Sequence, residues 1–244
     1  KELLRADVTG IAIRDRRFER LAGGFAVAST RDDVTRVMVH ATGQRVAERT
    51  GPPEFGEVAR LWERVTGEDI SGGTPIWLDS FDNSRGQADS YRRGRVLLAG
   101  DAAHWHMPIG GQALNVGLQD AVNLGWKLAG TVNGSAVPGL LDSYHDERHP
   151  AAARVLDYVA AQEILLLGGT EFEPLRAVLA ELAGLGQVHA HLARVTSNLD
   201  DRHGPPGSPL AGRRIAWAGN DEEGLDKVVG KLLHPEGRKE HARF

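Results

Sequence analysis

Residues 94–129 read GRVLLAGDAAHWHMPIGGQALNVGLQDAVNLGWKLA. Residues 95–99 (RVLLA) form a short continuous apolar run, which predicts a strand buried on both faces, and the run empties into Gly100-Asp101. A carboxylate at the C-terminal end of such a strand stands where α/β folds place ligands, and Asp101 can accept hydrogen bonds from a ligand's hydroxyls. In the loop that follows, Pro108 stiffens the chain and Gly110-Gly111 lets backbone approach a flat or phosphorylated ligand without Cβ clashes. Leu114, Leu118, Ala121, Val122, Gly125, Leu128 and Ala129 recur at helical spacing, predicting a helix over 112–130 with one buried stripe. Trp126 and Leu128 are assigned to the core of that helix. Its free N–H groups and positive dipole end point back at the loop, so an Asp and a helix N-terminus flank one gap. A ligand carrying both hydroxyls and negative charge suits that gap.

Working outward, residues 7–13 (DVTGIAI), 24–30 (GFAVAST) and 34–40 (VTRVMVH) alternate apolar and polar positions and predict half-buried strands. Arg31-Asp32-Asp33 joins the last two as an antiparallel hairpin. Residues 54–65 place Phe55, Val58, Leu61, Trp62 and Val65 on one face of a surface helix. Residues 74–81 (TPIWLDSF) read as a further strand, with Ile76, Leu78 and Ser80 on one side and Trp77, Asp79 and Phe81 on the other. Residues 139–167 are mostly helical with a kink or break at Pro150, and two shorter helices follow at 174–183 and 187–195. The charge run Asp142, Asp146, Glu147 and Arg148 reads as a solvated or interdomain face, and Arg92-Arg93 as solvated. A Gly/Pro-rich linker at 200–212 precedes one strand (214–218) and one helix (221–233).

Composition narrows the function classes. Of 244 residues, 29 are Lys or Arg and 33 Asp or Glu, a formal charge of −4, which argues against a dedicated nucleic-acid binder. No apolar run approaches the roughly 20 residues that span a bilayer, so no membrane partner is expected. The absence of Cys removes disulfides and thiolate chemistry, and the start of the chain mixes charges of both signs, so the cytoplasm is the expected compartment. No Gly-x-Ser-x-Gly elbow or phosphate loop is present to support a hydrolase or kinase.

The central stretch resembles the second flavin motif of the class A FAD-dependent aromatic hydroxylases, most closely those that oxygenate anthracycline- and angucycline-like polyketides. The resemblance lies in Gly100-Asp101-Ala102-Ala103-His104, Pro108, Gly110-Gly111-Gln112 and Asn115, with Asp120 to Leu128 and Tyr144 to Pro150 also family-like. It implies an α+β chain: a substrate-binding sheet layer (1–90), a flavin-motif strand, loop and helix with a helical region (91–199), and a linker with the remains of a thioredoxin-like domain (200–244). By the same resemblance Asp101 binds the ribityl and pyrophosphate region of FAD. Gly100 belongs with it to the cofactor-binding set, and the loop carrying Pro108, Gly110, Gly111, Gln112, Ala113, Leu114 and Asn115 then passes along the isoalloxazine. The implied reaction is NAD(P)H reduction of FAD followed by hydroxylation of a phenolic ring in a small aromatic polyketide, as in antibiotic biosynthesis. No catalytic side chain is assigned.

The sequence departs from the family pattern in places. Trp105 and Met107 are bulky for a loop bordering a flavin, and Ala113 stands where the family commonly has Gly. Neither the G-x-G-x-x-G unit nor the second Asp-Gly motif is found, and the chain opens on Lys1, so a truncated form of a longer enzyme is expected. Two other readings follow: a non-oxidative remnant that binds or cyclises a polyketide without flavin, or a non-catalytic accessory subunit. The surface of the missing part would be covered by a homo-oligomer or a partner chain. His104 and His106, with His145 or His149, form no closed metal-ligand set, and no metal is assigned. Ser29, Met38, His40, Trp77 and Asp79 are candidates to line a substrate on the sheet.

Overall fold

The computed structural model describes residues 1–44 and 46–196. Five strands, β1 (Glu2–Thr9), β2 (Arg16–Leu21), β3 (Gly24–Arg31), β4 (Val34–Ala41) and β5 (Thr74–Asp82), form a sheet in the order β2-β3-β4-β1-β5. All neighbours run antiparallel. The predicted hairpin is β3–β4, in register from Gly24↔Ala41 to Arg31↔Val34. Its two turn residues, Asp32 and Asp33, have φ of 49° and 63°. Left-handed backbone at both central positions matches the twist of the flanking strands, and Asp tolerates it better than most residues.

β1 differs from the expected strand: it starts at Glu2 and ends before Gly10, whose φ is 73°, so residues 11–13 lie outside it. The strand is central and buried on both sides, with Leu4, Ala6 and Val8 on one face and Leu3 on the other. Adjacent Leu3-Leu4 therefore breaks the alternation by which a half-buried strand is read. β2 was not expected, because RRFERL is too polar to stand out; it is an edge strand, where charged side chains are at home.

Each face of the sheet carries a core. On one, Leu4, Ala6, Val8, Ala26, Ala28, Val37 and Val39 meet Val58, Leu61, Trp62 and Val65 of α1 (Phe55–Thr66), the apolar stripe predicted for that helix. On the other, Leu3 and Phe25 join Tyr91, Met107 and Ile109 from the central loops, Val116 from α2 (Ala113–Val132), and Tyr144, Val155 and Val159 from α3 (Ser143–Leu167). α4 (Glu173–Ala183) and α5 (Gly186–Thr196) follow as predicted. The Arg176 guanidinium closes the end of α3 by donating to the carbonyls of Leu165 and Gly168, each at 2.7 Å.

Three expectations are corrected. Residues 95–99 are not a strand buried on both faces: only β8 (Val96–Leu97) is extended, paired with β7 (Arg92–Arg93), and Val96 is 62% exposed. Among the described residues no further strand pairs with it, and Leu97, Leu98 and Ala99 are only partly buried against the second core. α2 buries the opposite stripe from the one predicted. Leu114, Leu118, Val122 and Trp126 face outward, Leu128 is also exposed, and Val116, Gln119, Asp120, Asn123 and Lys127 face the protein. α3 does not break at Pro150, the second of the two outcomes expected there, and the Gln87 side chain donates to the His149 carbonyl at 2.8 Å.

Residues 1–189 form one compact unit and a second begins at Ala190. The linker, strand and helix expected over 200–244 lie outside the described residues. Among those described, no helix is long and apolar enough to cross a membrane.

Candidate functional site

The Gly100-Asp101 segment is a single helical turn (Gly100–Ala102) that leaves Asp101 exposed. It rests on α2 rather than on a sheet. Gly100, at φ 59°, crosses the helix at Gly117, so closely that a Cβ on Gly117 would stand 3.3 Å from the Gly100 Cα. Gly117 lies four residues, about 6 Å, into the helix. Gly100, the residue before Asp101, is thereby held against the first turns of α2.

The other end of the site is the turn Ile109–Gly111, with Gly110 at φ 75° and Gly111 at φ 64°. Ile109 is buried in the core and anchors it, while Pro108, Gly110 and Gly111 are exposed. A Cβ on Gly111 would meet nothing within 4 Å, so its backbone faces open space. α2 then begins with no side chain capping its first turn. The leading N–H groups of a helix have no intrahelical acceptor, so those of Ala113, Leu114 and Asn115 are available, and the helix dipole favours negative charge there. Of the predicted site residues, Asp101, Gly110, Gly111, Leu114 and Asn115 are exposed, Gly100 and Ala113 are half-buried, and Gln112 is buried. The two bulky departures do not obstruct the loop: Met107 is in the core, and Trp105 in β9 (His104–Trp105) packs across Gly86 of β6 (Gly86–Gln87).

Beneath the exposed loop lies a buried polar network that sequence reading missed. Asp120 is completely buried, and its Oδ2 accepts from the Gly100 N–H at 3.0 Å and from His104 Nε2 at 2.6 Å. Its Oδ1 accepts from Arg148 Nε at 2.8 Å. Burial opposes the Asp120 charge, but the hydrogen bonds from His104, Arg148 and the Gly100 amide prevail and hold the carboxyl below its ordinary pKa. A second pair lies further along, where Lys127 Nζ, fully buried, sits 2.9 Å from Glu147 Oε1 and Asn123 donates to Glu147 Oε2 at 2.6 Å. Glu147 and Arg148 are therefore not a solvated face, and Arg92 is not free, since it pairs with Asp142 at 2.6 Å. The signal was present as a polar stripe, Gln119, Asp120, Asn123 and Lys127, at helical spacing.

The five lining candidates share the sheet face opposite α1. The register places Met38 opposite Val27 on one side and Arg5 on the other, Ser29 opposite Arg36, and Asp79 opposite Arg5. Asp79 is taken by Arg5 at 2.6 Å, and the Arg5 guanidinium stacks 4.6 Å from the Trp77 ring centre and 5.3 Å from that of Phe81. His40 is buried beneath this face, donating from Nδ1 to the Glu2 carbonyl at 2.8 Å, and burial lowers its pKa. Among the described residues, no three His, Cys, Asp or Glu side chains gather as metal ligands.

Known proteins resemble this chain in sequence and fold. The family described as FAD binding domain matches residues 10–159. The 12-dehydrotetracycline 5-monooxygenase/anhydrotetracycline 6-monooxygenase of Streptomyces rimosus is 42% identical over 196 residues, 80% of this chain and 39% of that protein. Dialkyldecalin synthase of Streptomyces rugosporus is 49% identical over 146 residues, 60% of this chain and 31% of that one. The solved structure of CabE, an aromatic hydroxylase from angucycline biosynthesis, superimposes with a TM-score of 0.82 at 48% identity, covering 88% of this chain and 45% of that one. The chain thus spans less than half the length of these relatives. The match extends over more than half of its own residues, including the Gly100-Asp101 turn, the Gly110-Gly111 turn and the start of α2, and the chain belongs to the FAD binding domain family.

Proposed function

We propose that residues 100–115 hold the flavin portion of FAD, and that the chain serves an FAD-dependent monooxygenase hydroxylating small aromatic polyketides. The observation that carries this reading is the packing of Gly100, the residue before the exposed Asp101, on Gly117 one turn into α2, whose start has no side-chain cap and follows the open backbone of Gly111. These groups fit the cofactor's chemistry. The Asp101 carboxylate accepts from ribityl hydroxyls, and the N–H groups of Ala113, Leu114 and Asn115 stabilise negative charge on a heteroaromatic ring. Gly100, Pro108 and Gln112 shape and support the same loop. FAD when bound supplies the redox chemistry, with NAD(P)H as reductant; the protein supplies position and electrostatics. The sheet face bearing Trp77, Phe81 and Met38, with the Arg5–Asp79 pair stacked on its rings, offers a mixed aromatic and polar surface to an aromatic substrate, with residues 1–90 as the substrate layer and 91–199 as the flavin segment. The outward face of α2 is the surface that a second copy or a partner chain would cover. The cytoplasm is the compartment in keeping with a cysteine-free chain.

A second reading is favoured by one relative, a dialkyldecalin synthase, whose name describes a product built by ring formation. On that reading the same face would hold a polyketide for cyclisation. Titration of the chain with FAD, followed by absorbance and flavin fluorescence, tests the first reading. Saturable binding, weakened by Asp101→Ala about 10- to 100-fold, supports it. No binding by folded protein overturns it for this chain. Oxygen consumption with NAD(P)H and a phenolic polyketide, absent under the cyclase reading, separates the two.

A further inference from the structure

Asp101 has no structural anchor of its own; it is exposed on a turn whose place is set by its neighbours. The peptide immediately before it is fixed by one side chain. The Gly100 N–H donates to Asp120 Oδ2, the same oxygen that receives His104 Nε2 from the end of the Gly-Asp-Ala-Ala-His segment. One carboxylate oxygen thus grips this five-residue segment at both ends. The other oxygen is held by Arg148 of α3, so Asp120 cannot turn away without breaking a buried ion pair. All three side chains are at most 2% exposed. A structural ion pair needs only the contact between two helices. Here the carboxylate is shared instead with a loop amide and a loop histidine.

We infer that Asp120 is a positioning residue for the cofactor, acting through Gly100 and His104 to fix the direction in which Asp101 meets FAD. The inference rests on the proposed role of residues 100–115. Charge-assisted hydrogen bonds are short and directional, so the loop is held in the bound form before the ligand arrives. Preorganisation of this kind raises affinity by removing the ordering cost from the binding step. Asp120 touches no ligand itself, and its effect must be read through the loop.

The test follows the whole chain with three measurements: melting, hydrogen exchange at the Gly100 amide resolved by NMR, and FAD affinity. In Asp120→Ala the Gly100 amide should exchange at least about tenfold faster while amides of the central sheet stay slow, and FAD should bind about 10- to 100-fold more weakly. Asp120→Asn keeps an oxygen for the Gly100 N–H and should fall between wild type and Ala in both readouts, which a merely structural loss would not produce. If Asp120→Ala leaves Arg148 uncompensated and does not fold, Asp120→Ala with Arg148→Met removes both buried charges and carries the same readouts. Wild-type exchange and wild-type affinity in a folded Ala variant overturn the inference. A wild-type chain that takes up no FAD overturns the site reading and with it the cofactor role of Asp120. The Gly100 exchange rates still decide separately whether Asp120 holds the loop.

Discussion

Glu147 shows how single residues of the buried polar stripe work. Burial pushes its carboxyl toward the neutral form, but hydrogen bonds from Asn123 and Lys127 prevail, so its pKa lies below the ordinary 4.5. A carboxyl depressed in the folded state adds stability that is fully present above the unfolded pKa and disappears as pH falls through the folded value. Glu147→Gln should therefore destabilise the chain at pH 7 by about 1–3 kcal/mol, because it leaves the Lys127 ammonium buried beside a weaker acceptor. The difference between variant and wild type should shrink steadily below about pH 4.5. Melting temperatures across pH 3.5–7 check this, and a pH-independent gap would show that packing rather than charge is lost. Asp120, also depressed, titrates in the same direction, so acid should loosen both contacts between α2 and α3.

At the scale of elements, α2 is the case where pattern and structure part. Its position was legible, the expected span of 112–130 lying within two residues of the observed Ala113–Val132. Its orientation was not. Amphipathic reading assumes that the apolar stripe turns inward, but the inward stripe here is polar, with partners 16 to 28 residues away: His104, Glu147 and Arg148. Pairing across such distances leaves no periodicity to read. α1 and the β3–β4 hairpin were legible because each meets its partner through plain apolar alternation or a local turn. The inverted helix has a measurable consequence. Leu118→Ser and Val122→Ser, at 55% and 74% exposure, should each change unfolding free energy by less than about 0.5 kcal/mol. Val116→Ala, at 1% exposure, should cost about 1–3 kcal/mol. Urea unfolding of the three variants tests it; a large loss at Leu118 would mean that this face is covered in solution.

At the scale of the molecule, the sheet binds two cores into one folding unit. Consecutive residues of the same strand enter opposite cores: Leu3 and Leu4 in β1, Phe25 and Ala26 in β3. Because the same hydrogen-bonded strands line both cores, the two are expected to lose order together. Trp62→Ala, in the α1 core, should cost about 3–5 kcal/mol, and Val155→Ala, in the α3 core, about 1–3 kcal/mol. For a unit of this size each kcal/mol lowers the melting temperature by about 2–4 °C. The decisive feature is the form of the transition. Both variants should shift one single melt of residues 1–189, with amides of Leu3 and Leu4 losing exchange protection together. If Trp62→Ala instead produced an early melt confined to α1 and the Leu4 side, the two cores would be energetically separate, and the loop carrying Asp101 would rest on the α3 core alone.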